Sequence, residues 1–202
     1  QEKLAADRAD PTTKSRPFDS SRDGSVLGEG AAAMILESLE HAEAREATIL
    51  GEVVGSGTSA AGPLAGEDFL KTAMVNVIRA ALGSAKPASI GHIHSHGLST
   101  QDCDRQEAAA LAEVYGARAQ QPPVTTAKGH FGNLGAGGGM VEAVACLKAL
   151  GGALFPIRNC DSLDPACPIN ACVGNDVPAG DQFISVNVTP QGQASAVRIA
   201  RF

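Results

Sequence analysis

The chain has 202 residues, of which 44% are hydrophobic, 19% charged and only 3% aromatic. This composition is typical of one folded domain of ordinary size and excludes an intrinsically disordered chain. A net charge of -6 and a pI near 5.3 argue against nucleic acid or an anionic membrane as the main partner, and no apolar run approaches the length of a bilayer span.

The five cysteines are spaced irregularly, without the paired spacing of a zinc ribbon. An odd number of thiols without a disulfide framework predicts reduced cysteines in a cytoplasmic protein. Because the chain begins with Gln1 rather than Met, we expect it to be a piece of a longer protein.

In the first part of the chain, apolar runs alternate with polar loops. Residues 1–15 are predicted to form a polar N-terminal arm. A continuous apolar run at 31–36 predicts a strand that is buried on both faces. Ser38 can cap a short helix over 39–46. The next predicted strand is 49–58, whose glycines indicate a bulge or a close backbone contact.

The second part of the chain holds the clearest helix, over 67–82, where apolar residues recur at helical spacing up to Gly83. Apolar and polar residues alternate over 90–95, which predicts a strand. The remaining predicted elements, in chain order, are a helix over 104–114, a strand over 124–126, a helix from 134 or 136 to 150, and strands over 183–188 and 195–199. Together they predict an α/β fold with a mixed sheet that ends in an antiparallel pair.

Three histidines, His92, His94 and His96, alternate at the end of the predicted strand 90–95, so their side chains share one face. His96 lies at the junction between strand and helix, where α/β folds place their chemistry, and is the main candidate for a functional residue. The alternative is a metal hydrolase, because alternating histidines on a strand can hold zinc. Since only His130 and Asp104 could complete such a site, we expect no metal.

A glycine-rich segment over 126–139 is the second candidate region. It is not a phosphate-binding loop, because its lysine precedes the glycines and no Lys-Ser/Thr pair follows them. Glycines at the start of a helix can bring the backbone close to a ligand or can serve tight packing. Both interpretations stay open for this segment.

Three motifs resemble the C-terminal half of a β-ketoacyl-acyl-carrier-protein synthase, a condensing enzyme of the thiolase fold. They read RPFDSSRDGSVLGEGA at 16–31, SHGLSTQDCDRQE at 95–107 and KGHFGNLGAGGGMVE at 128–142. The resemblance implies half of a thiolase-like fold, a mixed sheet of about five strands with helices on both faces. Residues 1–202 would form the C-terminal ketosynthase-like domain, and the N-terminal half that bears the nucleophile would be absent.

The resemblance also implies an activity. The parent protein would be a 3-oxoacyl-[acyl-carrier-protein] synthase, an acyltransferase that works by decarboxylative condensation in fatty-acid or polyketide synthesis. No cysteine of this chain stands in a matching nucleophile motif, so the chain alone should be inactive. The expected partners are acyl carrier protein, the N-terminal half of the same protein and a second copy in a dimer, and no cofactor is expected.

By this resemblance, the catalytic residues are His96, Asn133 and Lys128, and Thr100 contacts the pantetheine arm of the carrier. Glu107 and Asp104 support the site, and Glu107 is the expected ion-pair partner of the buried Lys128.

Several departures from the family pattern leave a second function open. Asn133 stands where elongating enzymes have a second histidine, although initiating ketosynthases use Asn at this position. Leu98 replaces a threonine that would touch pantetheine, and Ser25 replaces an aromatic residue. Residues 186–192 lack the glycine loop that helps to form the oxyanion hole. The alternative function is therefore a non-catalytic partner subunit, similar to a chain-length factor.

Overall fold

The computed structural model describes residues 3–6 and 10–202. One sheet runs through this part of the chain in the order β1-β5-β4-β2-β3. Its strands are β1 Glu52–Ala60, β2 His92–His94, β3 Val124–Thr125, β4 Gln182–Val188 and β5 Gln193–Ala200. β5 pairs antiparallel with β1 and β4, whereas β2 pairs parallel with β3 and β4. The prediction of a mixed sheet of five strands with a final antiparallel pair is confirmed.

Helices cover both faces of the sheet. They are α1 Leu39–Ala44, α2 Phe69–Leu82, α3 Gln101–Tyr115, α4 Lys128–Phe131 and α5 Gly138–Ala149. Side chains of β4 alternate between the faces, since Ile184 lies in the core that includes α2, whereas Phe183 packs with Cys146 of α5. None of the helices in the described ranges is both long and apolar enough to cross a membrane.

Most of the predicted elements form close to the expected bounds. The hydroxyl of Ser38 accepts a hydrogen bond from the His41 N–H and caps α1, as predicted. The glycines were expected to mark a bulge or a close backbone contact; the register of β1 shifts between Val53 and Gly55, and a Cβ at Gly55 would lie 2.2 Å from the carbonyl oxygen of Ala81. The helix predicted from 134 or 136 begins as a 3-10 turn over Gly135–Gly137 and continues as α5.

The strand predicted at 31–36 is wrong. The segment has no strand pairing, and Ile35 and Leu36 are 83% and 75% exposed. An apolar run shows that side chains favour burial, but it does not show that the same chain supplies the surface that buries them. The predicted arm at 1–15 includes residues 1, 2 and 7–9, which lie outside the described residues.

Candidate active site

The candidate site begins where β2 ends and the chain turns toward α3. Gly97 makes this turn with a φ of +49°, in the left-handed region that glycine tolerates best. A Cβ at this position would lie 2.7 Å from the hydroxyl oxygen of Thr126. The loop that carries His96 therefore packs closely against the end of β3, and glycine is required there.

Glu107 of α3 fixes the backbone of this loop. Its two carboxylate oxygens accept hydrogen bonds from the N–H groups of His96, at 2.6 Å, and Gly97, at 2.8 Å. Burial raises the pKa of Glu107 to about 7, and the two backbone hydrogen bonds oppose that shift. The side chain thus acts on the loop through the main chain, and its support of catalysis stays a prediction.

Asp104 ties the same loop to the segment that follows the N-terminal arm. It accepts hydrogen bonds from the N–H groups of Phe18, at 2.8 Å, and Ser99, at 3.1 Å. Both residues have left-handed backbones, with φ of 62° and 68°. Burial raises the pKa of Asp104 to about 6, and the Arg22 guanidinium, 3.4 Å away, opposes this shift. Asp104 therefore stabilises two strained positions next to the site.

Lys128 pairs with Glu142, not with Glu107 as predicted. Its Nζ lies 2.6 Å from Oε1 of Glu142 and 2.7 Å from the carbonyl oxygen of His96. Both side chains of the ion pair are almost fully buried. The prediction was wrong because the oxygens of Glu107 are used by backbone N–H groups, whereas α5 places Glu142 against the lysine.

The imidazole of His96 lies between this lysine and β4. Its Nδ1 is 3.4 Å from Nζ of Lys128 and 3.3 Å from Oδ1 of Asn187, and its Nε2 has no hydrogen-bond partner among the described residues. Burial, and then the charge of Lys128, lowers the pKa of His96 well below its usual value. The ring is therefore neutral at pH 7.

The contact with Asn187 was not predicted from the sequence. A polar residue near the end of the predicted strand 183–188 was a possible signal, because parallel strands place their carboxyl ends at the same edge. The sequence does not show, however, which strand lies beside β2.

His96 lines a pocket of about 280 Å³ next to the start of α3. Leu98 and Thr100 lie in its wall, as do Phe69 of α2, Val188 at the end of β4 and Pro190 in the turn that follows. Cys103 also lines the pocket, but burial raises the pKa of its thiol well above the usual value. A buried thiol of this kind is a poor nucleophile.

Asn133 lies in the loop before α5. Its backbone N–H donates to the carbonyl of Val26 at 2.7 Å, and its carbonyl accepts from Gly28 at 3.0 Å. Its Oδ1 accepts a hydrogen bond from the Gly135 N–H at 3.1 Å. Within the described ranges, Asn133 is not in the wall of the His96 pocket. The structure thus brings His96, Lys128 and Thr100 together, and the proximity of Asn133 to His96 stays a prediction.

The other two histidines of β2 are held by protein groups. Nδ1 of His92 donates to the carbonyl of Ala179 at 2.7 Å, and its ring stacks on Phe183 at 5.1 Å. Nε2 of His94 accepts a hydrogen bond from the Ala127 N–H at 3.1 Å. Residues 3–6 and 10–202 contain no group of three His, Cys, Asp or Glu side chains placed to hold a metal ion.

His92→Phe should make the chain less sensitive to acid. Burial lowers the pKa of His92 from 6.5 to about 4, so at pH 5 the ring is neutral in the folded chain and protonated in the unfolded chain. Because the folded-state pKa is the lower one, the stability present above pH 6.5 is lost as the pH falls toward 4. Between pH 7.5 and pH 5 this group contributes about 2 kcal/mol of that loss.

Urea unfolding at the two pH values measures this difference. The loss of unfolding free energy should be about 2 kcal/mol smaller in His92→Phe than in the wild type. Phenylalanine keeps the stacking on Phe183, and His130→Phe, at an exposed position on α4, is the matched control. The same loss in His92→Phe and the wild type would contradict a buried neutral ring.

Two family models match the chain. The model of the beta-ketoacyl synthase C-terminal domain matches residues 50–160, and that of the N-terminal domain matches residues 2–42. A putative polyketide beta-ketoacyl synthase 1 of Streptomyces cyaneus is 38% identical over 165 residues, which are 80% of this chain and 39% of the relative. The 3-oxoacyl-[acyl-carrier-protein] synthase 2 of Coxiella burnetii is 34% identical over 83% of this chain and 41% of the relative. The chain thus spans about two fifths of these curated relatives.

Solved structures agree with these matches. A type II PKS acyl-carrier protein in complex with its ketosynthase, bound to the hexaketide, includes a chain with a TM-score of 0.88 and 25% identity, over 100% of this chain and 51% of that one. The ishigamide ketosynthase/chain length factor gives a TM-score of 0.84 and 29% identity, over 93% of this chain and 47% of that one. The fold, the three ordered motifs and the match over 50–160 lead to one conclusion: the chain belongs to the beta-ketoacyl synthase family.

Proposed function

We propose that this chain is the C-terminal part of a condensing enzyme that extends acyl chains on acyl carrier protein by decarboxylative Claisen condensation. The observation that carries the proposal is the neutral imidazole of His96, buried at a pocket whose wall includes Thr100. Glu107 and Asp104 fix the loop that bears both residues, and Lys128 holds the carbonyl of His96. Such a preorganised donor is suited to stabilise negative charge that develops on a carbonyl oxygen.

In the proposed reaction, the malonyl thioester enters along Thr100 on its pantetheine arm. Its carbonyl oxygen accepts hydrogen bonds from Nε2–H of His96 and the side-chain amide of Asn133. Loss of carbon dioxide then leaves an enolate, whose charge these donors and the nearby Lys128 ammonium stabilise. The enolate carbon attacks an acyl thioester on a cysteine of the N-terminal half, and that cysteine leaves as the thiolate.

Two partners follow from this proposal. Acyl carrier protein delivers the thioesters, which is supported by the related ketosynthase that was solved with its acyl-carrier protein. The N-terminal half supplies the nucleophile, and we propose a dimer of the complete protein. The five free cysteines support a reducing, cytoplasmic location.

An exposed apolar segment supports docking of the N-terminal half. Leu27, Ile35 and Leu36 are 66%, 83% and 75% exposed. They lie within residues 2–42, which match the N-terminal domain of the family rather than the C-terminal one. Exposed apolar residues at this density mark an interaction surface. We therefore propose that residues 27–36 pack against the rest of that N-terminal domain.

The 202-residue chain should self-associate through this segment. Replacing Ile35 and Leu36 together by Asn should shift it toward the monomer in sedimentation velocity, because the apolar area that favours association is removed. Leu64→Asn is the matched control, since Leu64 is fully exposed but lies outside the segment. An equal effect of both changes, or a monomeric wild type, would count against the proposed surface.

A second function is favoured by specific residues. Leu98 presents an apolar side chain to the proposed pantetheine pocket, and β4 runs into a tight turn at Thr189 and Gly192 instead of a glycine loop. A scaffold that pairs with an active ketosynthase, like a chain-length factor, needs no such loop. A match to the ishigamide ketosynthase/chain length factor is consistent with this function.

One assay separates the two functions. The full-length protein is incubated with malonyl carrier protein and an acyl primer, and condensed product and carbon dioxide are measured. An enzyme releases carbon dioxide and extends the primer without a second ketosynthase. A scaffold does neither until an active ketosynthase is added, and that result would overturn the proposed activity.

A further inference from the structure

The register of the sheet places Asn187 beside His96. In the parallel pair of β2 and β4, His92 lies opposite Phe183 and His94 opposite Ser185. Two more residues along both chains bring His96 opposite Asn187, and the Oδ1 of Asn187 is 3.3 Å from Nδ1 of the ring. The contact thus continues the register of the two strands by two residues beyond their last pair, His94 with Ser185.

The amide of Asn187 is packed between the ring and α5. Asn187 itself is half-buried, between Val186 and Val188 of β4, which are 0% and 6% exposed. A Cβ added at Gly139 would lie 3.2 Å from Nδ2 of the amide. Glycine at this point of α5 therefore leaves the space that the amide occupies.

Nδ1 of His96 has two polar neighbours that differ in whether they can donate or accept a hydrogen bond. The ammonium of Lys128, 3.4 Å away, can only donate a hydrogen bond. The amide of Asn187 can present either its oxygen or its nitrogen, because a half-turn about χ2 exchanges the two. With the oxygen toward the ring, Nδ1 would carry the proton and point it near a positive charge. With the nitrogen toward the ring, Nδ1 accepts from both neighbours.

We propose that Asn187 is a positioning residue that sets the tautomer of His96. In the structure Oδ1 of the amide faces Nδ1; the proposed state is the one after a half-turn about χ2, in which the amide nitrogen donates to Nδ1 and the single ring proton is kept on Nε2. Lys128 favours the same arrangement, since its ammonium attracts the lone pair of Nδ1 and repels a proton there. Nε2, which has no partner in the described part of the chain, is then a hydrogen-bond donor.

The consequence for catalysis rests on the proposed function. A donor at Nε2 can stabilise an enolate oxygen, whereas the opposite tautomer would present a lone pair to it. The tautomer itself, however, is a property of this chain and can be measured without any activity. An experiment can therefore show whether the proposed tautomer or the proposed condensing activity is the one that fails.

The experiment is nitrogen NMR on the chain labelled with ¹⁵N-histidine, at pH 7.5. Ring nitrogens with and without a proton have well-separated shifts, and His96→Gln identifies the signals of His96. The wild type should show a protonated Nε2 and an unprotonated Nδ1. Asn187→Asp should reverse this, because a carboxylate can only accept and draws the proton to Nδ1.

The controls make the result decisive. Asn76→Asp makes the same chemical change at an exposed position of α2 and should leave the His96 signals unchanged. If Asn187→Asp does not fold, Asn187→Ala should still raise the fraction of ring with the proton on Nδ1, since one of two donors is lost. A wild-type ring with its proton on Nδ1 would overturn the proposal. The same tautomer in the wild type and the folded Asn187 variant would also overturn it.

If the full-length protein is an active enzyme, the variant with the reversed His96 tautomer should also lose malonyl decarboxylation. Asn187→Asp is expected to lower kcat by roughly tenfold or more and to change KM for the malonyl carrier much less, since it alters a donor used in the transition state. A reversed tautomer with an unchanged kcat would retain Asn187 as the positioning residue and overturn the donor role of His96.

Discussion

Replacing Lys128 by methionine should lower the free energy of unfolding of this chain by about 3–5 kcal/mol. The side chains of Lys128 and Glu142 are 2% and 0% exposed, and their charged atoms are 2.6 Å apart. Methionine fills a similar volume but leaves the carboxylate of Glu142 buried without its cation. It also removes the hydrogen bond to the carbonyl of His96, so the loop of the candidate site loses a contact. Urea unfolding of the wild type and the variant measures the effect.

Two further variants show whether the buried charge is responsible. Lys148→Met makes the same change at an exposed position of α5 and should alter stability by less than about 0.5 kcal/mol. Lys128→Met combined with Glu142→Leu removes both charges and should recover much of the loss, because apolar pairs often replace buried ion pairs without cost. A double variant as unstable as Lys128→Met would show that packing, not the unpaired carboxylate, sets the cost.

Local patterns in the sequence were enough to predict most of the fold. The apolar periodicity over 67–82 became α2, and the alternation over 90–95 became β2, since each pattern reflects the local period of its element. The run at 31–36 failed because the described residues do not bury it, and Ile35 and Leu36 stay exposed. The periodicity of a segment reports its preference for burial, and only the fold shows whether that preference is met.

The candidate site was predictable only in part, for a related reason. The motif around His96 could be identified because its residues are close in sequence. The partner of Lys128 could not, because Glu107 and Glu142 are both acidic and only the tertiary structure shows that backbone N–H groups occupy Glu107. Asn187 was missed because strand order is needed to place it beside His96. Contacts between distant segments depend on topology, which single residues do not encode.

His96→Ala in the full-length protein should slow decarboxylation of malonyl carrier protein by about 10²–10³-fold, the scale for one oxyanion-hole donor. Its ring is neutral and lies at the pocket, so its removal takes away a preorganised hydrogen bond without a change in net charge. His130→Ala, at an exposed position, is the matched control and should retain the wild-type rate. Carbon dioxide release per folded protein is the measurement, with folding checked by urea unfolding.

Asn133 provides the sharper test between an enzyme and a scaffold. In an enzyme, Asn133→Ala should raise the barrier to decarboxylation by about 3 kcal/mol, because a second carbonyl donor is lost. Asn133→His should be tolerated, since it restores the residue that the elongating enzymes carry. In a scaffold, neither variant should change the rate of the complex beyond any loss of folding stability. Equal decarboxylation by the wild type and Asn133→Ala, in a protein shown to condense, would remove Asn133 from the donor pair and leave His96 as the donor to the carbonyl oxygen.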